Sequence, residues 1–199
     1  KVRVVGTPVR REFLAQVGEV DSPPVAERRH LLVFGGSQGA KAINSAMLDA
    51  LASLKERLPG LAITHQTGEA DCQRVREAYG RAGVEAEIVP FLYDMPKVLR
   101  TADLVVARAG AMTIAELAAC GKPAILIPLP TAIYDHQMKN ARAMEAAGGA
   151  MVVPQANLTG ATLSESVSVI LLNSQRLQAM SAKSRAMRRI DAGEVIVRE

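Results

Sequence analysis

Residues 31–40 read LLVFGGSQGA, a short apolar run that ends in a glycine-rich turn. An uninterrupted apolar run of this length is typical of a strand buried on both faces, as the strands of parallel sheets are. A helical pattern follows to about residue 58, with apolar residues three or four positions apart. The stretch therefore predicts a strand, a turn and a helix, the first unit of an α/β fold.

Outward from this unit, strand and helix patterns alternate to residue 188. We predict strands at 31–34, 61–64, 87–91, 104–107, 124–128 and 150–153. Helices are predicted at 40–58, 70–82, 95–101, 113–120, 135–147, 159–173 and 175–188. This alternation predicts right-handed crossovers and a doubly wound, parallel six-stranded sheet of the Rossmann-like α/β class. Such sheets bind ligands beyond the carboxyl ends of their strands, so we expect function in the strand-to-helix turns.

Domain boundaries follow from composition. Residues 1–29 are predicted to be an interdomain linker and leading segment, with a strand at 1–5 and a connector rich in proline and charge at 18–29. One domain is predicted at 30–199, which is long enough for a sizeable core. The first residue is Lys1 rather than Met, so we expect the chain to be a piece of a longer protein.

Charge narrows the classes of partner. The 199 residues include 24 Lys and Arg against 20 Asp and Glu, a formal net charge of +4. This mild excess suits an anionic ligand or an anionic membrane surface and is too small to indicate nucleic acid. No basic run is interleaved with aromatic residues, as a stacking platform for single strands requires. We therefore expect no nucleic-acid partner.

Other patterns speak against a membrane span, a disulfide and a metal site. No apolar stretch approaches the roughly 18 residues that cross a bilayer, and the N-terminus lacks a signal-peptide pattern. Cys72 and Cys120 fall in predicted helices, which favours inert reduced thiols over a disulfide. No Cys or second His stands at metal-ligand spacing, so we predict no metal and no cofactor. His30 and His65 are interpreted as structural.

The turn from Gly35 to Ala40 suits an anionic ligand. Glycines let the backbone approach a ligand closely, and the N–H groups at a helix start carry positive dipole character. A phosphate or diphosphate fits, with Ser37 as a hydroxyl donor, and a tight turn without a ligand is the alternative. The GGxxG spacing differs from the GxGxxG of dinucleotide-binding folds, no acid closes the second strand, and no Walker A lysine follows. An oxidoreductase is therefore not predicted.

The fourth turn runs from Arg108 into a helix that carries Thr113 and Glu116. These two residues have the spacing of a capping box, in which the Glu bonds the N-cap amide. Alternatively, the Glu116 carboxylate accepts hydrogen bonds from two ribose hydroxyls at the carboxyl edge of the sheet. Arg108 supplies a cation at the same edge, unless it forms a surface ion pair.

Two further turns extend the candidate site. We expect Asp135 to cap the helix after the fifth strand. His136 and Gln137 would then point from its first turn toward the crevice and read sugar hydroxyls, with a structural role for His136 as the alternative. The third turn, residues 90–95, presents an apolar rim beside exposed backbone, where a flat base can pack.

Five segments taken together resemble a known family. They are GTPVR at 6–10, GGSQGA at 35–40, FLYDM at 91–95, RAGAMTIAE at 108–116 and DHQMKNA at 135–141. In this order, over essentially the whole chain, they resemble the C-terminal domain of the MurG family, the GT-B-fold N-acetylglucosaminyl transferases of peptidoglycan synthesis. The resemblance implies that 30–199 is the UDP-sugar donor-binding domain of an inverting hexosyltransferase.

The resemblance also implies a set of donor-binding residues. They are Arg10, Ser37, Gln38, Gly39, Leu92, Arg108, Ala111, Met112, Thr113, Glu116, His136 and Gln137. By the family pattern, Arg10 and Ser37 contact the diphosphate. The Leu92 backbone reads uracil, and Glu116 holds the ribose. Residues 111–113 line the nucleotide pocket, and residues 136–137 contact the amino sugar with Arg108 close by.

The implied reaction is transfer of N-acetylglucosamine from UDP-N-acetylglucosamine to lipid I, the undecaprenyl-diphosphate-linked muramyl pentapeptide, which gives lipid II. It takes place at the cytoplasmic face of the bacterial inner membrane, with the whole protein attached peripherally. The family's N-terminal acceptor domain and its general-base His have no counterpart here. We therefore expect no catalytic residue in this chain, and a soluble fragment that binds the donor without turnover. Four basic residues near the C-terminus contact anionic lipid or form a solvated face: Lys183, Arg185, Arg188 and Arg189.

Two other functions stay open. A UDP-sugar epimerase of the same fold would use similar phosphate and ribose contacts, but it needs acid/base carboxylates facing the sugar, and these turns do not supply them. A non-enzymatic nucleotide-binding domain is the second alternative. Titration with UDP and with UDP-N-acetylglucosamine separates these functions.

Overall fold

The computed structural model describes residues 6–13, 28–130 and 135–189. The strands are β1 (His30–Phe34), β2 (Ala62–Gln66), β3 (Glu87–Val89), β4 (Leu104–Ala107), β5 (Ala124–Leu126) and β6 (Ala150–Val152). The helices are α1 (Lys41–Arg57), α2 (Cys72–Ala82), α3 (Met95–Thr101), α4 (Ala111–Cys120), α5 (His136–Ala146), α6 (Gly160–Leu171) and α7 (Ser174–Ala186). The predicted strand at 1–5, most of the predicted connector and residues 131–134 of the fifth turn lie outside the described residues.

The six strands form one parallel sheet in the order β3-β2-β1-β4-β5-β6. This confirms the predicted doubly wound, Rossmann-like class. The chain winds outward from β1 in one direction and from β4 in the other, so the order reverses between these two neighbours. Phe34 is level with Ala107 in the register, and the turns after β1 and β4 therefore leave the sheet side by side. They open the β1/β4 crevice, the place where such folds bind ligands.

The core consists of two apolar layers, one on each face of the sheet. In β1, Leu31 and Val33 pack into one layer, whereas Leu32 and Phe34 pack into the other. This follows from the two-residue period of a strand. Residues of α1, α2, α6 and α7 complete the first layer, and residues of α3, α4 and α5 complete the second. The opening apolar run is thus buried on both faces, as predicted.

Many element ends differ from their predicted positions by one or two residues. β2 runs two residues further, to Gln66, because the polar side chains of His65 and Gln66 find hydrogen-bond partners inside the fold. α4 begins at Ala111, two residues before its predicted start. β3 and β5 end two residues early, at Val89 and Leu126. A proline follows each of them closely, and proline cannot donate to a strand ladder.

Both cysteines lie in helices, as predicted. Cys72 is buried at the start of α2, Cys120 is half-buried at the end of α4, and both are free thiols. Burial raises the pKa of the Cys120 thiol, which keeps it protonated and unreactive. None of the described helices is both long and apolar enough to cross a lipid bilayer.

Candidate functional site

The turn after β1 presents backbone N–H groups at the carboxyl edge of the sheet. A hydrogen bond of 2.8 Å from Gly39 N to Gly36 O closes it. α1 starts directly afterwards with Ala40 at its N-cap, and the side chain of this residue has no acceptor for the amides of the first turn. Ser37 and Gln38 are exposed beside it. An uncapped helix start next to an exposed hydroxyl is suited to an anion such as a diphosphate.

Two glycines lock this turn against the turn after β2. Gly39 has a φ of 72° and Gly68 a φ of 79°. A Cβ added to Gly39 would lie 1.9 Å from Thr67 O, and one added to Gly68 would lie 2.2 Å from Gln38 O. The two backbones are therefore in direct contact, which only glycine permits. No role was predicted for Gly68, although a glycine two residues after the polar end of β2 was a usable signal.

Gln66 joins the turns after β1 and β3. Its Oε1 accepts from Gly35 N at 3.4 Å, and its Nε2 donates to Pro90 O at 2.9 Å. The side chain is buried, so these contacts satisfy a polar group that would otherwise be costly inside the core. This role of Gln66 was not predicted, because a glutamine at the end of a strand belongs to no motif that indicates a contact with neighbouring turns.

The turn after β3 forms an apolar rim. The side chain of Leu92 packs against the core, while Phe91 and Tyr93 are exposed and contact each other edge to face, with ring centroids 5.1 Å apart. Asp94 ends the turn by capping α3, since its Oδ1 accepts from Lys97 N at 3.1 Å. The predicted rim is present, and it is held in place from both sides.

Helix α4 carries four of the predicted site residues. Its N-cap is Gly110, which makes Thr113 the third residue inside the helix. The predicted alternative of a capping box between Thr113 and Glu116 is therefore wrong. Ala111 and Met112 are exposed, whereas Thr113 and Glu116 are half-buried. Burial raises the pKa of the Glu116 carboxyl, and the positive charge of Arg10 partly opposes this shift.

The described part of the leading segment, residues 6–13, packs beside α4. Phe13 is buried in the core, and the Arg10 guanidinium lies over its ring, with 5.2 Å from Cζ to the centroid. Val9 lines a cavity of about 170 Å³ together with Ala111. These contacts bring the Arg10 cation near the Glu116 carboxylate, so the structure joins two predicted site residues that are distant in sequence.

Arg108 supports the turn at the end of β5. Its Nη1 donates to Ile127 O at 3.1 Å and to Pro128 O at 3.3 Å, and its Nη2 donates to Gln155 Oε1 at 2.6 Å. No acid among the described residues pairs with it, so the alternative of a surface ion pair is wrong. Burial lowers the pKa of the Arg108 guanidinium, yet its very high ordinary pKa keeps it charged.

The start of α5 is tied to the turn after β4. Gln137 Oε1 accepts from Ala109 N at 3.3 Å and from Leu129 N at 3.0 Å, and Asn140 Nδ2 donates to Ala109 O at 3.1 Å. Gln137 thus uses its side-chain oxygen on two backbone N–H groups. Sequence analysis did not assign a role to Asn140.

Asp135 occupies the N-cap position of α5 but does not cap it. Its φ is 56°, and its carboxylate accepts no capping hydrogen bond. The prediction that this side chain caps the helix is therefore wrong. His136 is exposed in the first turn of the helix.

The predicted site residues gather on one edge of the sheet. They lie in the leading segment, in the turns after β1, β3, β4 and β5, and at the starts of the following helices. β1 and β4 pair directly, so α1 and α4, which carries Glu116, follow the two strands that border the β1/β4 crevice. Within the described ranges, no three His, Cys, Asp or Glu side chains are grouped as metal ligands. An uncapped helix start and a half-buried carboxylate at this edge are suited to an anion and to hydroxyl groups, respectively.

Comparisons with known proteins agree with this geometry. Residues 30–195 match the model of the glycosyltransferase family 28 C-terminal domain. A Syntrophotalea carbinolica protein is 48% identical over 197 residues, which cover 98% of this chain and 53% of the relative. A Geobacter sulfurreducens protein is 43% identical over 200 residues, which cover 100% and 55%. Both are named UDP-N-acetylglucosamine–N-acetylmuramyl-(pentapeptide) pyrophosphoryl-undecaprenol N-acetylglucosamine transferase. The chain spans about half the length of these relatives.

Solved structures give the same result. The crystal structure of MurG from Acinetobacter baumannii superposes with a TM-score of 0.77 at 32% identity, over 88% of this chain and 50% of that one. A putative UDP-N-acetylglucosamine 2-epimerase from Listeria monocytogenes has a TM-score of 0.63 at 14% identity, over 86% and 44%, which is a likeness of fold alone. The family model covers most of the chain and matches the domain that holds the crevice. The chain therefore belongs to glycosyltransferase family 28, and it contains the C-terminal domain of that family.

Proposed function

We propose that this chain binds UDP-N-acetylglucosamine and, within the whole protein, serves transfer of its N-acetylglucosamine to lipid I to form lipid II. The named relatives at 48% and 43% identity support this reaction. The observation that carries the proposal is the β1/β4 crevice: an uncapped helix start follows β1, and the helix that follows the paired strand β4 carries a half-buried carboxylate. These two groups complement a diphosphate and a ribose.

The diphosphate and ribose occupy the centre of the site in this proposal. The amides at the start of α1, with Ser37, Gln38 and Gly39, hold the diphosphate, and Arg10 adds a positive charge. Glu116 accepts from the ribose hydroxyls, and the first turn of α4, residues 111–113, lines the pocket. Arg10 lies near Glu116, which fits a ligand whose phosphate and ribose are adjacent.

The base and the sugar occupy the two flanks. Uracil packs on the rim after β3 and is read by the Leu92 backbone. The amino sugar meets His136 and the amide N–H groups of Gln137, with Arg108 close by. Gln137 and Arg108 also hold the turns after β4 and β5, so their contribution includes placing the sugar-binding backbone.

The proposed reaction is a direct displacement that inverts the anomeric carbon. Negative charge grows on the leaving UDP, and fixed N–H donors at a helix start stabilise such charge at little cost of reorganisation. The general base for the acceptor hydroxyl belongs to the acceptor-binding part of the whole protein. The chain alone therefore binds the donor without turnover.

Lipid I and an anionic membrane surface are the further partners of the whole protein in this proposal, at the cytoplasmic face of the cell membrane. Lys183 and Arg185 in the last turn of α7 are exposed, which is compatible with contact to anionic lipid headgroups.

Calorimetric titration of the purified chain tests the donor clause. UDP and UDP-N-acetylglucosamine are expected to bind, and ADP is expected to bind at least about tenfold more weakly, because a site that reads a base edge rejects a different base. Absence of UDP binding would overturn the proposal, and equal affinity for ADP would overturn the role of the turn after β3.

A transfer assay with radiolabelled UDP-N-acetylglucosamine and a lipid I analogue tests the second clause. The chain alone is expected to form no product, and formation of lipid II by it would contradict binding without turnover. Conversion of the donor to its 2-epimer in the same assay would identify an epimerase instead.

A further inference from the structure

A buried polar cluster lies behind the turn after β1 and is not used by the proposed donor contacts. His65 and Asn44 are almost completely buried, at 0% and 1% exposure. His65 Nε2 lies 3.1 Å from Asn44 Oδ1, and its Nδ1 lies 3.2 Å from the Tyr79 hydroxyl. Asn44 Nδ2 donates to Thr67 O at 2.9 Å and to Asp71 Oδ2 at 2.7 Å. Every polar atom of the Asn44 side chain therefore has a partner.

The donor pattern determines where His65 carries its proton. Asn44 uses its N–H groups on two oxygens, so its Oδ1 must accept, and His65 Nε2 must donate to it. His65 Nδ1 then accepts from the Tyr79 hydroxyl. Burial lowers the pKa of His65 to about 4, and the ring is accordingly neutral at pH 7. The cluster thus has one consistent set of hydrogen bonds.

Asn44 connects this cluster to both sides of the proposed diphosphate turn. Thr67 O, which accepts from Asn44, is the atom that excludes a Cβ at Gly39. The backbone N of Asn44 donates to Ala40 O at 2.9 Å, the first hydrogen bond of α1. Asn44 therefore joins the helix start, through its backbone N–H group, to the backbone on which the turn rests, through its side chain.

The far end of the cluster is anchored as well. Arg74 donates to both carboxylate oxygens of Asp71, at 2.6 and 2.7 Å. Hydrogen bonding from Arg74 is the main reason why the pKa of the Asp71 carboxyl is lowered to about 2. Asp71 is thus ionised at neutral pH and remains an acceptor for Asn44.

We propose that Asn44, oriented by His65, is a positioning residue for the diphosphate. It touches no ligand and acts by holding residues 67–68 against residues 38–39, so that the amides at the start of α1 keep fixed directions. This inference rests on the proposed function, because it requires that the turn binds a nucleotide diphosphate. Donors that are already oriented bind charge better than donors that must be ordered on binding. Loss of Asn44 therefore weakens the affinity gained from the phosphates and leaves the affinity for uridine unchanged.

The test compares the Kd of the chain for uridine and for UDP, measured by calorimetry and ligand-observed NMR. The ratio of the uridine Kd to the UDP Kd is expected to fall by about tenfold in Asn44→Ala and in His65→Leu. His65→Gln is expected to restore most of the ratio, because its Nε2 can still donate to Asn44 Oδ1. A residue that only stabilises the fold would change thermal stability and not this ratio.

Ser164→Ala is the matched control. It removes another buried hydrogen bond, the one of 2.8 Å from Ser164 on α6 to Ser53 on α1, and its ratio is expected to equal that of the unmodified chain. Thermal denaturation checks that each variant is folded. If Asn44→Ala does not fold, the Kd ratios of the two His65 variants test the proposal in its place. An unchanged ratio in folded variants would overturn this inference alone. Absence of UDP binding by the unmodified chain would overturn the proposed function as well.

Discussion

Glu116 lies in the second turn of α4, with its side chain half-buried. Burial raises the pKa of this carboxyl, and the Arg10 charge only partly offsets the effect. Since α4 is capped at Gly110, the fold gains nothing from Glu116 as a capping residue. Groups held in a less favourable environment than the fold requires are concentrated at binding sites. The half-burial of Glu116, its raised pKa and its lack of a capping role are together the main structural reason for proposing that it binds the ribose.

Replacement of Glu116 by Gln is expected to weaken UDP binding about tenfold, because two hydrogen bonds to a charged acceptor become weaker. The free energy of unfolding is expected to change by less than about 1 kcal/mol, since no cap is lost. Calorimetry and urea denaturation measure the two quantities. Glu165→Gln on the exposed face of α6 is the control and should leave UDP affinity unaltered. Unchanged UDP affinity in Glu116→Gln would contradict the proposed contact between Glu116 and the ribose.

Uridine binding is expected to weaken on acidification. In the proposed function the ionised Glu116 accepts from both ribose hydroxyls. The raised pKa of this carboxyl means that its protonation begins at a higher pH than for an ordinary carboxyl. Uridine is the suitable ligand because it has no phosphate that titrates. A pH series of Kd values should show the loss in the unmodified chain and a flat profile in Glu116→Gln. A parallel slope in both would assign the pH dependence to another group.

The ends of one helix and one strand were predicted correctly from the residue pattern alone. α3 and β4 begin and end at the predicted residues. The start of α4 was not predicted, because a capping box is recognised by residue type, whereas the helix begins where the backbone leaves β4. That point is fixed at Ala109 by Gln137 and Asn140. These contacts come from a helix about 30 positions further along the chain, and no local pattern contains them.

The contact between the turns after β1 and β2 predicts a difference between two glycines. Gly39→Ala and Gly60→Ala both place a side chain at positive φ, which costs about 1–2 kcal/mol. A Cβ at Gly60 meets nothing within 4 Å, whereas one at Gly39 collides with Thr67 O. Gly39→Ala is therefore expected to lower the free energy of unfolding by at least about 3 kcal/mol and to abolish tight UDP binding. Denaturation and calorimetry that gave equal losses for both variants would contradict the contact.

Stability of the molecule is expected to fall with acid through His65. Burial lowers its pKa from 6.5 to about 4, so between these values the unfolded chain binds more protons than the folded one. The free energy of unfolding therefore decreases as the pH falls from about 6.5 to 4, by about 3 kcal/mol in total. Urea denaturation at several pH values should show this slope, and His65→Gln should reduce it. The same slope in the variant would exclude His65 as its source.

The architecture followed from the alternation of strand and helix patterns, and the site edge followed from the parallel sheet. The buried polar cluster that supports the turn after β1 could not be predicted from the sequence. Asn44, His65 and Asp71 belong to three elements, and none of them stands in a motif that indicates a shared role. Arg108 was similarly recognised as a cation at the right edge, but its carbonyl partners come from the end of β5. Contacts between elements decide such roles, and they become visible only in the folded chain.

The reversal of strand order between β1 and β4 separates two tasks among the turns. In the proposed function, Ser37 and Gly39 at the diphosphate and Glu116 at the ribose follow the two central strands, whereas His136 and Gln137 at the sugar follow β5, further out. Substitutions after β5 that spare Gln137 and Asn140, which hold the Ala109 backbone, can thus change which sugar is accepted without disturbing the nucleotide contacts. A scaffold of this kind can acquire a new sugar specificity during evolution through changes in one peripheral loop, while the turns that bind the nucleotide stay the same.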